Sequence, residues 1–403
     1  MLILPTATYR ARDFLQAAAK LDLEVVVATD SAPPLPGRFL EIDCSDADSA
    51  ADAIVAFDRS DPIDAVVAVD DQGVVPAALA AERLGLSHND PSATKASQDK
   101  AAQRRLLQAA EVSQPDWAVL AQGEDTKEAA RKMAAAVGFP CVVKPRSLSA
   151  SRGVIRADDP ESLEAAILRS RQIAADAGLG EDASLVVEGY VDGDEVALEG
   201  MLHEGRLETL AIFDKPDPLV GPYFEETIYT TPSRMATPRL DRIKRVAEQA
   251  CRAIGLAEGP VHAELRDDGE RSWCIEVASR TIGGHCSRAL SFEGTTGDSS
   301  LEELVLAHAV GMDLGKKAGE GATGVMMIPA PGSGTLISVQ GQQQALATEG
   351  ITALEISLRP GDLVLAAPEN SRYLGFIFAS GPDPASVERS LRLAHSKLRF
   401  TLH

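Results

Sequence analysis

Several residue types are scarce in this sequence, and each shortage narrows what the protein can be. Aromatic residues make up only 4% of the 403 residues, which disfavours a surface that stacks bases or sugars. The five cysteines are widely spaced and form no CxxC pair. An odd count in a chain of this length argues against a disulfide framework and predicts reduced thiols in a cytoplasm. No apolar run approaches membrane-spanning length, and the brief apolar start predicts a first strand, not a secretory signal.

Positive charge is also in short supply. Lysine and arginine number 39 against 60 aspartates and glutamates, which gives a formal net charge of −21. A field of this sign repels nucleic acid and anionic membranes, so we expect neither as a partner. It still allows a small anionic ligand, because a local cluster of lysine, arginine and metal overrides the global charge. With 45% hydrophobic residues the chain can bury a real core, and its length predicts two to four domains.

The first 90 residues predict an α/β fold with a parallel sheet. A short buried run at Leu2–Leu4 and β-branched runs at Leu23–Thr29 and Ala65–Val69 alternate with segments of helical pattern. Buried strands that alternate with helices are typical of a parallel sheet covered on both faces. No GxGxxG follows the first strand, so a dinucleotide-binding interpretation has no support.

The rest of the chain predicts a mixed α+β organisation. Asn89-Asp90-Pro91 marks a boundary, and the Gly-rich segments 311–324 and 329–334 predict a linker into a small α+β C-terminal module. The predicted units are 1–90, 91–183, 184–315 and 316–403. The second unit contains a helix near 98–110, a strand at 117–120, a helix at 126–137 capped by Thr126, and a strand at 141–144. The third contains strands and hairpins, a long helix near 240–254 and another near 301–310.

The segment 261–284 carries a predicted hairpin with two carboxylates on it. Asp267-Asp268-Gly269 is a turn signal between two apolar runs. Glu264 and Glu276 are 276 − 264 = 12 residues apart, and an even separation across a hairpin places both on one face, where they repel without a cation. Such oxygen pairs suit Mg²⁺ with substrate phosphates. Arg280 follows on the same side, where it would neutralise a transferring phosphoryl group. The alternative is a solvated hairpin face with ordinary charges.

Two further segments are informative only in combination. Lys144 ends an apolar strand, where a lysine needs an anionic partner, and a loop of small residues from Ser147 to Gly153 follows. Such a loop brings backbone N–H groups close to phosphates, although a plain surface loop has the same composition. In 185–200 a strand ends at Glu188 and the next begins at Glu195. A carboxylate at a strand edge is a good acceptor for ribose hydroxyls, and a charged hairpin end explains it equally well.

Taken together, these segments resemble the ATP-grasp superfamily in order, spacing and residue type. The set comprises Lys100 in QDKAAQRRLL, Lys144-Pro145, the loop through Gly153, Glu188, Gly193-Asp194-Glu195, Glu264, and Glu276 to Arg280. Within the superfamily the chain looks closest to the L-amino-acid ligases. The segments that resemble theirs are FDK at 213–215 leading to GPYFE at 221–225, RTIGGHCSR at 280–288, and the C-terminal stretch from GVMMIPAPGSG to YLGFIFASG.

The resemblance implies a central ATP-grasp fold that uses ATP and Mg²⁺ and that spans units 91–183 and 184–315. It assigns catalytic roles to Arg280 and Lys215 and metal binding to Glu264 and Glu276. The implied nucleotide contacts are Lys100, Lys144, Ser151, Gly153, Glu188, Gly189, Tyr190 and Glu195. The implied substrate contacts are His262, Ser279, Gly283, Gly284 and Arg288.

The activity implied by the resemblance is an ATP-dependent ligation of a small-molecule carboxylate to an amine through an acyl phosphate. The product is an amide or peptide bond, and we expect an amino acid as substrate. We expect lids at 147–153 and 216–223, with His262 and His285 as candidate bases and a homodimer left open. Ala278 stands where the family has a metal-binding Asn, which leaves the number of metal ions open. The alternatives are a bicarbonate-phosphorylating carboxylase, a purine-pathway ligase and a nucleotide-binding regulator without turnover.

Overall fold

The computed structural model describes residues 1–6, 8–31, 37–181, 183–293, 297–369 and 372–403. Its N-terminal region is a four-stranded parallel sheet in the order β3-β2-β1-β4. The elements are β1 (Leu2–Ile3), α1 (Ala11–Lys20), β2 (Val26–Thr29), β3 (Arg38–Glu41), α2 (Ala47–Asp58), β4 (Val67–Ala68) and α3 (Asp71–Leu84).

Both faces of this parallel sheet are covered, as the sequence predicted. Ile3 points into a core that α2 and α3 complete, whereas Leu2 and Leu4 point to the opposite side, where Phe14 of α1 packs. This division follows from the period of two in a strand. Strand β3 was not predicted, because it has only two apolar residues between two charged ones and none of its four residues is buried.

The next region is a four-stranded antiparallel sheet in the order β5-β8-β6-β7, with two helices packed on one face. Its elements, with the two helices that lead into it, are α4 (Pro91–Ser97), α5 (Lys100–Ala109), β5 (Trp117–Leu120), α6 (Thr126–Val137), β6 (Cys141–Pro145), β7 (Ile155–Ala157), α7 (Pro160–Asp176) and β8 (Leu185–Gly189). The predicted cap of α6 was wrong by one residue. The Asp125 carboxylate accepts hydrogen bonds from the backbone N–H groups of Lys127 and Glu128, so Asp125 is the N-cap.

The remaining chain builds an eight-stranded antiparallel sheet in the order β13-β12-β9-β10-β11-β16-β20-β18. The first elements of this part of the chain are β9 (Asp194–His203), β10 (Arg206–Asp214), β11 (Ile228–Thr231), α8 (Thr237–Ile254), β12 (Gly259–Asp267), β13 (Ser272–Ala278), β14 (Phe292–Glu293) and α9 (Leu301–Ala309). The later ones are β15 (Lys317–Ala318), β16 (Ala322–Met327), β17 (Gly334–Gln340), α10 (Gln342–Leu346), β18 (Ile351–Ile356), β19 (Leu363–Val364), β20 (Gly375–Gly381), α11 (Pro384–His395) and β21 (Arg399–Leu402).

The two faces of this central sheet differ in chemistry. One face of β9 and β12 carries Val196, Leu198, Ala263 and Leu265, which pack under α8. The residues between them point the other way and include charged side chains, because successive residues of a strand alternate between faces. The sheet therefore presents a charged surface, supported from behind by an apolar core.

The predicted linker at 311–324 was wrong in its last residues. Residues 322–327 form β16, which pairs with β11 on one side and β20 on the other and so extends the central sheet into the C-terminal module. Glycine misled the prediction here. A Cβ on Gly324 would lie 2.7 Å from the carbonyl oxygen of Tyr229 and 2.8 Å from Val387, so glycine permits close packing inside the sheet. No helix among the described residues is long and apolar enough to cross a membrane.

Two leucines of α11 test how the C-terminal module is held. Leu391 is fully buried (0% exposed) and Leu393 is 53% exposed on the same helix. We expect Leu391→Ala to lower the free energy of unfolding by about 2–5 kcal/mol, because it leaves a cavity in the core. Leu393→Ala is the matched control and should change it by less than about 0.5 kcal/mol. Urea unfolding of both variants measures this, and equal losses would contradict the packing described.

Candidate active site

A cleft of about 960 Å³ lies between the antiparallel sheet, the charged face of the central sheet, the N-terminal region and the C-terminal module. Most residues that the sequence assigned to a site line it. They are Lys100, Lys144, Ser151, Glu188, Gly189, Tyr190, Glu195, His262, Glu264, Glu276, Arg280, Gly283 and Gly284. Four others, Gly153, Lys215, Ser279 and Arg288, are not among the lining residues. The cleft thus brings together side chains from all four regions of the chain.

At one end of the cleft, Glu188 forms a buried ion triad. Its carboxylate lies 2.8 Å from Nζ of Lys144 and 2.7 Å from Nε of Arg104. Burial raises the pKa of the Glu188 carboxyl, but Arg104 and Lys144 outweigh it and hold the pKa at about 2. Lys144 therefore has its anionic partner within the protein, and Glu188 fixes its position under the cleft.

Arg104 was missed by the sequence analysis. Its guanidinium also donates to the carbonyl oxygens of Cys274 and Ile275, at 3.0 and 2.6 Å. It therefore ties α5 to β13 as well as to Glu188. A signal was present, because Arg104 follows Lys100 by four residues and so shares its helix face.

The hairpin of β12 and β13 places its two carboxylates as predicted. Glu264 and Glu276 are direct cross-strand partners, and both line the cleft. Each has one ammonium group beside it: Nζ of Lys100 lies 3.2 Å from Glu276, and Nζ of Lys215 lies 3.0 Å from Glu264. The repulsion between the two carboxylates is therefore partly offset from both sides.

Lys215 is the centre of a second ionic cluster. Its Nζ lies 2.7 Å from Glu195, 2.7 Å from Glu226 and 3.0 Å from Glu264. Burial lowers the pKa of Lys215, but the three carboxylates outweigh it and raise the pKa well above its usual value. The positive charge inside this carboxylate cluster is thus already supplied by lysine. Glu226 is a further residue that sequence reasoning missed.

His262 lies between two carboxylates on the charged face of the sheet. Its Nδ1 is 2.5 Å from Glu199, its direct partner on β9, and its Nε2 is 3.7 Å from Glu264. Burial lowers the pKa of His262, but Glu199 and then Glu264 raise it to about 9. The imidazole is therefore protonated at neutral pH and is a donor, which argues against its predicted role as a base.

Glu199 was also missed, although a pattern could have found it. It follows Glu195 by four residues in a strand, so both lie on the same face. The same face holds Arg266, the partner of Glu195 in register, with its Nε 2.7 Å from that carboxylate. Opposite charges across neighbouring strands stabilise this face.

Arg280 joins the central sheet to the N-terminal region. Its Nε donates to Asp71 at 2.6 Å, and Nη1 donates to the carbonyl oxygen of Thr281 at 3.0 Å. Burial raises the pKa of the Asp71 carboxyl, but Arg280 outweighs it, so the pKa lies below its usual value. Asp71 fixes the direction of the guanidinium at the cleft wall.

The Gly283-Gly284 turn has a structural requirement for its second glycine. Gly284 has φ +61°, and a Cβ there would clash with Met327. Its backbone N–H donates to the hydroxyl of Tyr9 at 2.7 Å. His285, the other candidate base, packs its ring edge-on against Tyr9 and Phe376, with centroids 4.6 and 4.8 Å away. The turn and three rings form one end of the cleft.

Arg288 is not among the lining residues, although Glu355, one of its two partners, is. Its guanidinium pairs with Asp13 at 2.9 Å and with Glu355 at 2.8 Å. Glu293, the next carboxylate along the chain, pairs with Lys317 and not with Arg288. Substrate binding by Arg288 stays a prediction that its two carboxylate partners do not support. Ser279, similarly, has its hydroxyl 2.9 Å from that of Ser97.

The small-residue loop covers the cleft near Lys144. Ala150 and Ser151 have φ +56° and +54°, which L residues adopt only where surrounding contacts hold them. Nζ of Lys100 donates to the carbonyl oxygen of Leu148 at 2.8 Å. The backbone N–H of Gly153 donates to the carbonyl oxygen of Pro368 at 3.1 Å. The loop thus bridges α5 and the C-terminal module. A closing motion of this loop stays a prediction.

Comparison with known families identifies the architecture. The ATP-grasp domain family matches residues 137–289, and the ATP-grasp N-terminal domain family matches residues 15–88. The L-amino acid ligase C-terminal domain 2 family matches residues 326–403. The chain belongs to the ATP-grasp superfamily. Enzymes of this superfamily use ATP together with Mg²⁺.

Individual relatives are distant. An uncharacterised protein of Sinorhizobium fredii is 26% identical over 78% of this chain and 63% of its own length. Alanine–anticapsin ligase of Bacillus subtilis is 27% identical over 51% of this chain and 46% of its own length. The chain thus spans less than two thirds of the length of these two curated relatives.

Solved structures agree in fold. The L-amino acid ligase of Bacillus licheniformis superposes with a TM-score of 0.82 at 24% identity, over 100% of this chain and 98% of that one. Biotin carboxylase of Campylobacter jejuni gives 0.68 at 17% identity, over 100% and 92%. At these identities the likeness establishes the ATP-grasp fold of the superfamily.

The Glu188 triad generates a test. We expect Glu188→Gln to lower the free energy of unfolding at pH 7 by about 3–5 kcal/mol, because it leaves two buried cations without their partner. The carboxyl pKa falls from 4.5 to about 2 on folding, so its contribution is complete above pH 4.5 and is lost as pH falls towards 2. The difference between wild type and variant should therefore shrink over that window.

Urea unfolding at a series of pH values measures this difference. Glu128→Gln is the matched control, since Glu128 is exposed on α6 of the same region. A Glu188→Gln variant as stable as the control at pH 7 would contradict the triad.

Proposed function

We propose that the protein activates a carboxylate with ATP as an acyl phosphate and joins it to an amine, releasing ADP and phosphate. One observation carries the proposal: Glu264 and Glu276 oppose each other on the cleft wall, with Lys100, Lys144 and Arg280 lining the same cleft. Paired carboxylates ringed by cations suit a metal-bound polyphosphate, whose negative charge needs both a divalent ion and fixed positive groups. An amino acid is the proposed carboxylate substrate.

The residues present fit Mg²⁺. The side chains of Glu264 and Glu276 are 21% and 30% exposed, so their oxygens remain accessible from the cleft. Carboxylate oxygens are the ligands that Mg²⁺ prefers, and water fills its other positions readily, so Ala278 does not prevent binding. Glu195, Glu226 and Glu264 also lie close enough to hold a metal, but the Lys215 ammonium already lies among these three carboxylates and contacts each of them. Glu264 and Glu276 would therefore hold the ion, and it would neutralise phosphate oxygens and polarise the transferring group.

The chain's own groups would position the nucleotide. Lys144, fixed by Glu188, and Lys100, fixed by the carbonyl oxygen of Leu148, present ammonium groups from two sides of the cleft. The loop 147–153 covers this end and would exclude water from the phosphates. Glu195, at the start of β9, is the proposed acceptor for a ribose hydroxyl, although it also pairs with Lys215 and Arg266.

The proposed reaction then has two steps. A carboxylate oxygen of the first substrate attacks the γ-phosphorus, and ADP leaves; the amine attacks the carbonyl carbon, and phosphate leaves with that oxygen. Arg280, held by Asp71, would stabilise the phosphoryl charge in both steps. His262 is protonated at neutral pH, and its charge, 3.7 Å from Glu264, would add to that of Lys215 in keeping the carboxylate ionised. The amine would therefore enter in its neutral form, and the proton that it loses on forming the amide would leave with the phosphate.

The first test is whether ADP release depends on two substrates. Purified protein is incubated with ATP and Mg²⁺, with and without a mixture of amino acids, and then with a carboxylate or an amine alone. ADP should be released only when a carboxylate and an amine are both present, and mass spectrometry should then find the amide. ADP release with bicarbonate alone would support the carboxylase-like alternative instead.

We expect Glu276→Gln to abolish the release while leaving the fold intact, because it removes a metal ligand.

Glu270→Gln is the control for this variant, since Glu270 is an exposed carboxylate at the turn of the same hairpin. The control should keep the activity of the wild type. Near-normal ADP production by Glu276→Gln at low Mg²⁺ would count against the metal assignment.

Lys144 provides an independent test of the nucleotide end. We expect Lys144→Ala to weaken ATP binding by about 1.5–3 kcal/mol, the range for a charged contact, with little effect on amino-acid binding. Calorimetric titration measures both affinities. Lys132→Ala is the matched control, since Lys132 is 61% exposed and pairs with Glu124. Unchanged ATP affinity in Lys144→Ala would remove Lys144 from the nucleotide site.

A further inference from the structure

A second cluster of potential metal ligands lies outside the cleft. It consists of His203 at the end of β9, Glu258 just before β12, and His308 in the last turn of α9. One ligand atom from each of the three lies within 4.8 Å of the other two. None of the three lines the cleft, so the cluster is separate from the proposed catalytic site.

The spacing of these atoms approaches that of a tetrahedral site. Oε2 of Glu258 lies 3.5 Å from Nδ1 of His203 and 3.2 Å from Nε2 of His308. Zinc–ligand bonds of about 2.0–2.2 Å at tetrahedral angles place neighbouring ligand atoms about 3.3–3.6 Å apart. The two distances from Glu258 fall at or next to that range, and the ligand atoms of the two histidines lie within 4.8 Å of each other, so all three reach one ion after side-chain adjustment.

The carboxylate is held in place by a surrounding shell of hydrogen bonds. Its other oxygen, Oε1, accepts from the backbone N–H of Glu204 at 2.9 Å, which leaves Oε2 for the cluster. The Asn89 side chain accepts from the backbone N–H groups of Ala257 and Glu258 at 2.7 and 2.9 Å and donates to the Glu258 carbonyl oxygen at 2.7 Å. Oriented carboxylates of this kind are typical of metal sites, where outer partners fix the ligands.

The charge state of the cluster also suits a cation. Its three side chains are one carboxylate and two imidazoles, and carboxylate oxygen and imidazole nitrogen are both ligands of zinc. The nearby ammonium of Lys316 is paired with Glu208 at 2.9 Å, which reduces its repulsion of a metal. The side chain of His203 is 71% exposed, so the cluster opens to solvent on that side.

We propose that His203, Glu258 and His308 form a binding site for a divalent ion of borderline softness, Zn²⁺ in the first instance, with water as the fourth ligand. Two imidazoles and one carboxylate select such an ion over Mg²⁺, which prefers an all-oxygen shell. The ion would join β9, the segment before β12 and α9. It would thereby fix α9 to the end of β9 and the start of β12, and its role is in holding these elements together.

The test uses the full chain, freed of metal with a chelator and kept in excess Mg²⁺ to occupy the cleft carboxylates. Calorimetric titration with zinc chloride should show one tight equivalent. His203→Ala and His308→Ala should each weaken it by at least about 100-fold, since even outer partners of a metal site contribute about 10- to 100-fold. Binding of Zn²⁺ should also raise the unfolding temperature of wild type but not of these variants.

Two controls locate the zinc. His403→Ala removes an exposed histidine elsewhere and should leave the titration unchanged. Glu264→Gln should leave it unchanged too, because the tight equivalent is not in the cleft. No tight zinc equivalent in wild type, an unaltered equivalent in His203→Ala, or its loss in Glu264→Gln would each overturn the proposal. His203 is mostly exposed, so its variant remains informative even where a variant of the more buried Glu258 fails to fold.

Discussion

The arrangement of the cleft depends on the repulsion between two carboxylates that one hairpin forces together. Glu264 and Glu276 are direct partners on β12 and β13, and such a pair is stable only with cations around it. Lys100 arrives from α5 and Lys215 from the end of β10 to supply that charge. Each of these lysines is in turn held by a further group. The charged face of the central sheet is therefore one connected network, supported from behind by the apolar core under α8.

This network explains why the cleft combines strong negative and positive potential in a protein of net charge −21. Buried ion pairs contribute little net stability, because desolvation offsets much of their attraction. In this cleft the ion pairs fix the orientation of the cations. Glu188 holds Lys144, Asp71 holds Arg280 and Glu199 holds His262, so each cation faces the cleft in a fixed orientation. Preorganised charges of this kind are what a phosphoryl transfer requires.

The predictable parts of the molecule are those set by local periodicity. The parallel N-terminal sheet and the facing pair on the hairpin follow from the alternation of residues along strands and were confirmed. The predictions of the α6 cap and of the last residues of the linker failed for local reasons, since neighbouring Asp and Thr are both capping residues and glycine is common in loops. Contacts between distant segments could not be predicted. Asp71 and Arg280 are 209 residues apart, and Arg288 meets Asp13 only because α1 packs beside the Gly283-Gly284 turn.

Some of the missed residues could nevertheless have been predicted from the sequence. Arg104 shares a helix face with Lys100, and Glu199 shares a strand face with Glu195, so the same periodicities that found one member of each pair point to the other. Glu226 had no such signal, because its place beside Lys215 depends on the fold of the segment between β10 and β11. The assignment of roles to these residues rests on the proposed reaction.

The central claim is that a substrate carboxylate becomes an acyl phosphate in this cleft. Oxygen transfer tests it most directly: the carboxylate substrate is labelled with ¹⁸O, and the phosphate released during turnover with ATP, Mg²⁺ and an amine is analysed by mass spectrometry. The account predicts one ¹⁸O atom in each phosphate, because the attacking carboxylate oxygen leaves with the phosphoryl group. Phosphate that carries no label, with the amide still formed, would contradict it.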